Sequence, residues 1–344
     1  MFATRERYGT TREGATIDLF TLTNARGLTV RCINYGCRIA NIVLPLAGGD
    51  RDVVLGFDNF GGYERDGTSQ GALIGRYAGR IKDASFVLDG RRFDLTKKED
   101  GHFRHGSFNR RIFEADIAGD AVVFTCNSPD GEDGFPGKLH VQARYSLDEE
   151  NRLTLEYTAQ TDRETVINLT NHAYFDFSGG KSRDIEDHIL QLNADRFLAI
   201  GDGLCPTGEM PDVAGTPFDF REPKRIDADI GREDEQLAIA GGYDHCFVIR
   251  KDADSPDPVL AATATDAMGA VALRVCTTQP GVQFYTGNFL NGTTSGKGVC
   301  LTRRRGFCLE TQHYADSPNH PAFPTTTLKP GEIYRQVTVF EFDF

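Results

Sequence analysis

Apolar and polar residues alternate with period two along much of the chain. Leu139, Val141, Ala143, Tyr145 and Leu147 take every second position, the acidic stretch Asp148-Glu-Glu-Asn-Arg152 follows, and Leu153, Leu155 and Tyr157 resume the alternation. That pattern predicts two antiparallel strands joined by a turn. The stretch Gln336-Val-Thr-Val-Phe-Glu-Phe-Asp-Phe344, introduced by Pro330-Gly331, reads as another strand. Helical periodicity is scarce, and residues 225–240 are the best candidate for a short helix. The 37 glycines fit many tight turns. No linker or repeat divides the chain. The expectation is one all-β domain over residues 1–344, a large, mostly antiparallel β-sandwich of two extended sheets with few short helices.

Two strand-like stretches each carry one titratable side chain. In Val166-Ile-Asn-Leu-Thr-Asn-His-Ala-Tyr-Phe175 it is His172, and in Gly306-Phe-Cys-Leu-Glu-Thr-Gln312 it is Glu310. Period-two geometry puts Asn168, Thr170, His172 and Tyr174 on one face of the first, and Cys308, Glu310 and Gln312 on one face of the second. Free surface would carry Lys and Glu, so faces of Asn, Thr, His, Tyr and Gln point to a polar cavity. A carboxylate and an imidazole there have the makings of an acid–base pair. A structural histidine and an ion-paired glutamate are the plainer alternatives.

Composition narrows the partners. Apolar residues make up 39% of 344 and mean hydropathy is −0.38. No apolar run approaches a membrane span, and the start of the chain lacks a secretory pattern. A net charge of −12 argues against nucleic acid and anionic membranes and fits a small neutral ligand. The eight cysteines include no Cys-x-x-Cys pair or zinc-like spacing. They read as small buried hydrophobes in a reducing, cytoplasmic setting. The glycines at 71, 75 and 79 match no phosphate-binding loop.

A longer series of motifs runs in order along the chain: Asn34-Tyr-Gly36, Gly75-Arg-Tyr-Ala-Gly-Arg-Ile81, His105-Gly106, Ser128-Pro-Asp-Gly-Glu-Asp-Gly-Phe-Pro-Gly137, Asn168–Phe175, Gly242-Tyr-Asp-His245, Thr278–Asn288 and Gly306–Gln312. With these the chain resembles the aldose 1-epimerase (galactose mutarotase) family over nearly its whole length. The resemblance implies a β-sandwich holding a free monosaccharide over a concave sheet face. It implies no metal and no cofactor. His172 and Glu310 become the catalytic pair, and Arg80, His105, Asp244 and Gln279 the substrate-binding residues. Glu310 as carboxylate would take the anomeric O1 proton, and His172, protonated at the outset, would give one to the ring oxygen. Partners other than the sugar are not expected, beyond a monomer or weak homodimer.

Three departures from the family pattern stand near the implied site. Gly79 replaces an asparagine, the His105-Gly-Ser107 loop is shortened, and Cys246 replaces another asparagine. They leave the pair intact and bear on which sugar is preferred. A non-catalytic sugar binder has no need of a matched acid and base. A sugar-phosphate epimerase would need cations beyond Arg80. A glycosidase would usually need a second carboxylate.

Overall fold

The computed structural model describes residues 2–98, 100–251 and 255–344. Its framework is a nine-stranded antiparallel sheet. Across it in order lie Glu114–Ala118, Ala121–Ser128, Leu139–Leu147, Arg152–Thr161, Tyr334–Asp343, Ala272–Thr277, Val259–Thr265, Ile189–Leu192 and Lys224–Arg225. The alternation from 139 to 157 becomes a hairpin in which Leu147 faces Leu153, with Asn151 at φ +63° in the turn. Its apolar positions are fully buried, while Gln142, Arg144 and Ser146 remain half-exposed. One face of the large sheet is therefore core and the other meets solvent.

Two smaller sheets cover the apolar face. One has five strands, Phe2–Thr10, Thr16–Thr23, Thr29–Ile33, Arg38–Leu46 and Gly49–Asp52. The other has four, in the order Ala194–Phe197, Asp244–Ile249, Gly281–Tyr285 and Cys308–Gln312. Phe20 and Val30 of the first, Phe247, Phe284 and Leu309 of the second, and Leu153, Leu155, Val275 and Phe340 of the large sheet share one apolar core. The Phe20 and Phe124 rings meet edge to face at 5.8 Å, joining the five-stranded sheet to the large one. This is the large antiparallel sandwich that the alternation called for.

Two local expectations are corrected. The 225–240 helix shrinks to Glu235–Ala240, because Lys224–Arg225 joins the sheet edge and Ile226–Ala228 forms a single tight turn. Asp234 caps the short helix, its Oδ1 accepting from Gln236 N and Leu237 N, and Gly241 at φ +68° ends it. A second short helix, Phe60–Arg65, went unread because Gly61 and Gly62 sit inside it.

The 166–175 stretch is not one strand either. Thr165–Val166 pairs with Thr327–Leu328 and Thr170–Asn171 with Leu73–Ile74. Phe175 makes isolated bridges to Val54 and Phe307. Asparagines break the ladder by bonding to backbone themselves. Asn168 Nδ2 donates to the carbonyls of Ala78 and His313, and Asn171 accepts from Ala173 N at 3.0 Å.

Candidate active site

The four-stranded sheet builds the site floor by register. Cys246, Gln283 and Glu310 lie abreast on three neighbouring strands, and Asp244, Tyr285 and Cys308 form the next row. Along Cys308–Gln312 the pleat sends Leu309 into the core and Thr311 onto Thr338 of the large sheet, with 2.6 Å between the two hydroxyl oxygens. Glu310 and Gln312 are thereby turned the other way, into a cavity of about 220 Å³. The expected face of Cys308, Glu310 and Gln312 is the observed one.

His172 arrives from outside this sheet, on the irregular segment after Asn171. Its backbone N–H donates to Ala72 and its carbonyl accepts from Gly71 N, both at 2.9 Å. The imidazole stacks on Tyr174 with 4.9 Å between ring centres. Nε2 stands 3.8 Å from Glu310 Oε1. His172 is 5% exposed and Glu310 4%. Of the four residues expected to share a polar face, His172 and Tyr174 reach the cavity; Asn168 is committed to backbone carbonyls and Thr170 is buried.

Arg80, His105 and Asp244 join the pair on the cavity wall. Asp244 accepts from Gln283 Nε2 at 2.7 Å. His105, at φ +67°, accepts at Nδ1 from Gly79 N at 3.3 Å and packs edge to face with His172. Arg80 pairs in register with Arg104, which lines the same cavity. Gln279 is the exception. It lies behind the wall, its Oε1 2.7 Å from His313 Nδ1 and its amide directed to Leu169 O and Tyr334 Oη. From that segment Gln283 and Tyr285 reach the cavity, Gln283 in register with Glu310. Arg104 is a charged cavity residue outside the expected set. Its signal was its place one residue before His105.

A buried ion pair shapes one rim. Arg38 Nη1 lies 2.7 Å from Asp66 Oδ2, with both side chains essentially inaccessible. Asp66 also accepts from the N–H and hydroxyl of Thr68 and from Gln70 N, so it fixes the 67–69 turn that borders the cavity. Tyr174 Oη donates to Thr68 O at 3.2 Å and ties that rim to the His172 segment.

Burial governs the electrostatics. It pushes the Glu310 carboxyl well above the usual range, reinforced by Asp244 and opposed by Arg80. It lowers His172 to about 4, against the pull of its own carbonyl and of Asp66. Asp244 is raised by burial, with Arg80 opposing. Burial and then His172 hold His105 well below its ordinary value. Burial thus favours the neutral forms, a protonated Glu310 and an unprotonated His172, and works against the charged pair that the resemblance implies. Both arrangements contain one exchangeable proton.

Residues 18–341 match the family model for aldose 1-epimerase. The chain belongs to the aldose 1-epimerase family. It is 40% identical to galactose mutarotase of Bos taurus, with 98% of each chain covered. It is 35% identical to aldose 1-epimerase of Escherichia coli K12, with 96% of each covered. Among solved structures, an aldose epimerase homologue from C. elegans superposes with a TM-score of 0.86 at 30% identity, covering 94% of this chain and 98% of that one. Galactose 1-epimerase from Lactobacillus acidophilus also gives 0.86, at 27% identity, covering 99% and 98%.

Proposed function

We propose that this chain is a mutarotase, interconverting the α and β anomers of a free aldose such as glucose, galactose or a pentose. The observation that carries the reading is the His172–Glu310 pair, 3.8 Å apart and buried at one cavity. Ring opening removes a proton from O1 and places one on the ring oxygen. Moving the pair's single proton from Glu310 to His172 Nε2 gives the carboxylate and imidazolium that the chemistry needs. Glu310 then takes the O1 proton, His172 gives its own to the ring oxygen, and the pair is back in its resting protonation beside the open-chain aldehyde. Rotation about C1–C2 and the reverse transfers give the other anomer. No net proton is consumed, and neither residue ends charged in a dry site.

Arg80 faces the oxygen that carries negative charge as the ring opens. Asp244, held by Gln283, accepts from sugar hydroxyls, and His105 donates or accepts at the rim. Gln279 acts from behind through His313 and Tyr334. The chain works as one domain over 1–344, as a monomer or weak homodimer in the cytoplasm. Its free cysteines fit that compartment, Cys276 and Cys300 apart all buried. Among the described residues no helix is long and apolar enough to cross a membrane.

Polarimetry of freshly dissolved α-D-galactose, α-D-glucose and α-D-xylose tests this reading: relaxation should accelerate with protein for at least one sugar. No acceleration with any aldose defeats it. Arg104 beside Arg80 favours a second reading, an aldose bearing a carboxylate or phosphate. Anomer exchange followed by NMR on D-galacturonate and D-glucose 6-phosphate decides that, and preference for either over the neutral sugars would establish it.

A further inference from the structure

The imidazole of His172 lies along one strand and meets two residues of it, one with each nitrogen. Nε2 faces Glu310 Oε1 at 3.8 Å, and Nδ1 faces Cys308 Sγ at 3.5 Å, within hydrogen-bonding reach for sulfur. Cys308 and Glu310 are positions i and i+2, so the pleat puts both on the face toward His172. Cys308 is wholly buried, pairs in register with Tyr285, and forms no part of the cavity surface. Its sulfur is thus beyond the sugar's reach and touches the reaction only through the ring. Which nitrogen of a histidine carries the proton is set by what the other one meets. If Nδ1 carries it, Nε2 presents its lone pair to Glu310 and can take and return a proton. If Nε2 carries it, the ring can accept nothing from that side.

Resting on the function proposed above, we infer that Cys308 is a positioning residue: its sulfur accepts a hydrogen bond from Nδ1–H of His172, and so leaves Nε2 as the nitrogen that exchanges protons with Glu310 and the sugar. A thiol suits the task. It is a weak, polarisable acceptor that tolerates Nδ1–H in both the neutral ring and the imidazolium, whereas a carboxylate there would bias the ring toward the imidazolium. Burial holds the thiol well above its ordinary titration range, so it does not become a competing thiolate.

Nitrogen-15 NMR of the uniformly labelled protein at pH 7, with His172 assigned by comparison with His172→Asn, reads the tautomer directly. The expected result is a protonated Nδ1 and an unprotonated Nε2. Cys308→Ala should lower kcat about tenfold or more, leave KM within about twofold, and raise the Nε2–H population. Cys308→Ser, which keeps an acceptor, should hold the native tautomer and recover much of kcat. The inference is overturned by a native His172 protonated on Nε2, or by a Cys308→Ala protein whose tautomer is unmoved, whatever its kcat. Should Cys308→Ala not fold, the native spectrum and Cys308→Ser decide alone. Native protein that fails to accelerate any mutarotation defeats the enzyme reading, while the tautomer result stands apart from it.

Discussion

Burying a carboxyl and an imidazole side by side lets one proton serve both. On the proposed mechanism the active pair contains that single proton. Below about 4, His172 takes up a second. Above the raised range of Glu310, the pair loses the one it has. We expect kcat/KM to be bell-shaped in pH, with an acid limb near 4 from His172 and an alkaline limb above the ordinary carboxylate range from Glu310. An acid limb near 6.5, the unperturbed histidine value, would contradict the burial argument. Stability follows from the same shift. A carboxyl raised on folding binds more protons in the folded state, so its contribution is fully present below its unfolded value of about 4.5 and is lost as pH rises through its folded value. Glu310→Gln removes that burden. It should cut kcat by roughly 10²–10⁴-fold while leaving Tm at pH 8 unchanged or higher. A lower Tm would mean that the carboxylate is structurally stabilising. An isolated titratable group on an uncharged stretch is a visible signal, and it picked out His172 and Glu310; that they meet at one cavity is decided by the packing of distant strands, which the pattern does not display.

At the level of elements, period two was legible wherever strands pair regularly. It located the 139–157 hairpin, the strand near the end of the chain and the Glu310 face. It failed along 166–175, where asparagine side chains replace ladder bonds and the backbone turns between short pairings. Gln279 came from the family resemblance and not from the alternation; the register with Cys246 and Glu310, which the sequence does not display, brings Gln283 to the cavity from the same motif. Gly79 shows how a departure from the family is accommodated. It sits at φ +77°, and a Cβ there would come within 2.8 Å of Ala315 Cβ. An asparagine adopts that backbone readily, so the obstacle is the neighbour. Gly79→Asn should cost about 1–3 kcal/mol in chemical denaturation and raise KM, since Gly79 and Ala315 both border the cavity. Adding Ala315→Gly should recover most of the loss. If the double variant is no better than Gly79→Asn alone, the conflict lies elsewhere.

Across the whole molecule, strands at opposite ends of the chain contribute unequally. Phe2–Thr10 is an edge strand. It pairs with Thr16–Thr23 alone and is largely half-exposed or exposed. Tyr334–Asp343 is central, bonded on one side to Arg152–Thr161 and on the other to Ala272–Thr277. It carries Phe340 and Phe342 into the main core. It also reaches the site from beneath, since Thr338 meets Thr311 under Glu310 and Tyr334 Oη accepts from Leu169 N ahead of His172. The segments that carry His172 and Glu310 thus both rest on this one strand, although it contributes nothing to the cavity wall. Removing residues 334–344 should split the large sheet and expose two long unpaired edges, so the product is expected to be insoluble or unfolded. Removing residues 2–10 should leave a folded protein with a lower Tm and measurable mutarotation. Circular dichroism and polarimetry on the two truncations compare them directly. A soluble, strand-rich protein lacking 334–344 would show that the sandwich does not depend on its central strand, and would separate the site from the support that holds His172 and Glu310 face to face.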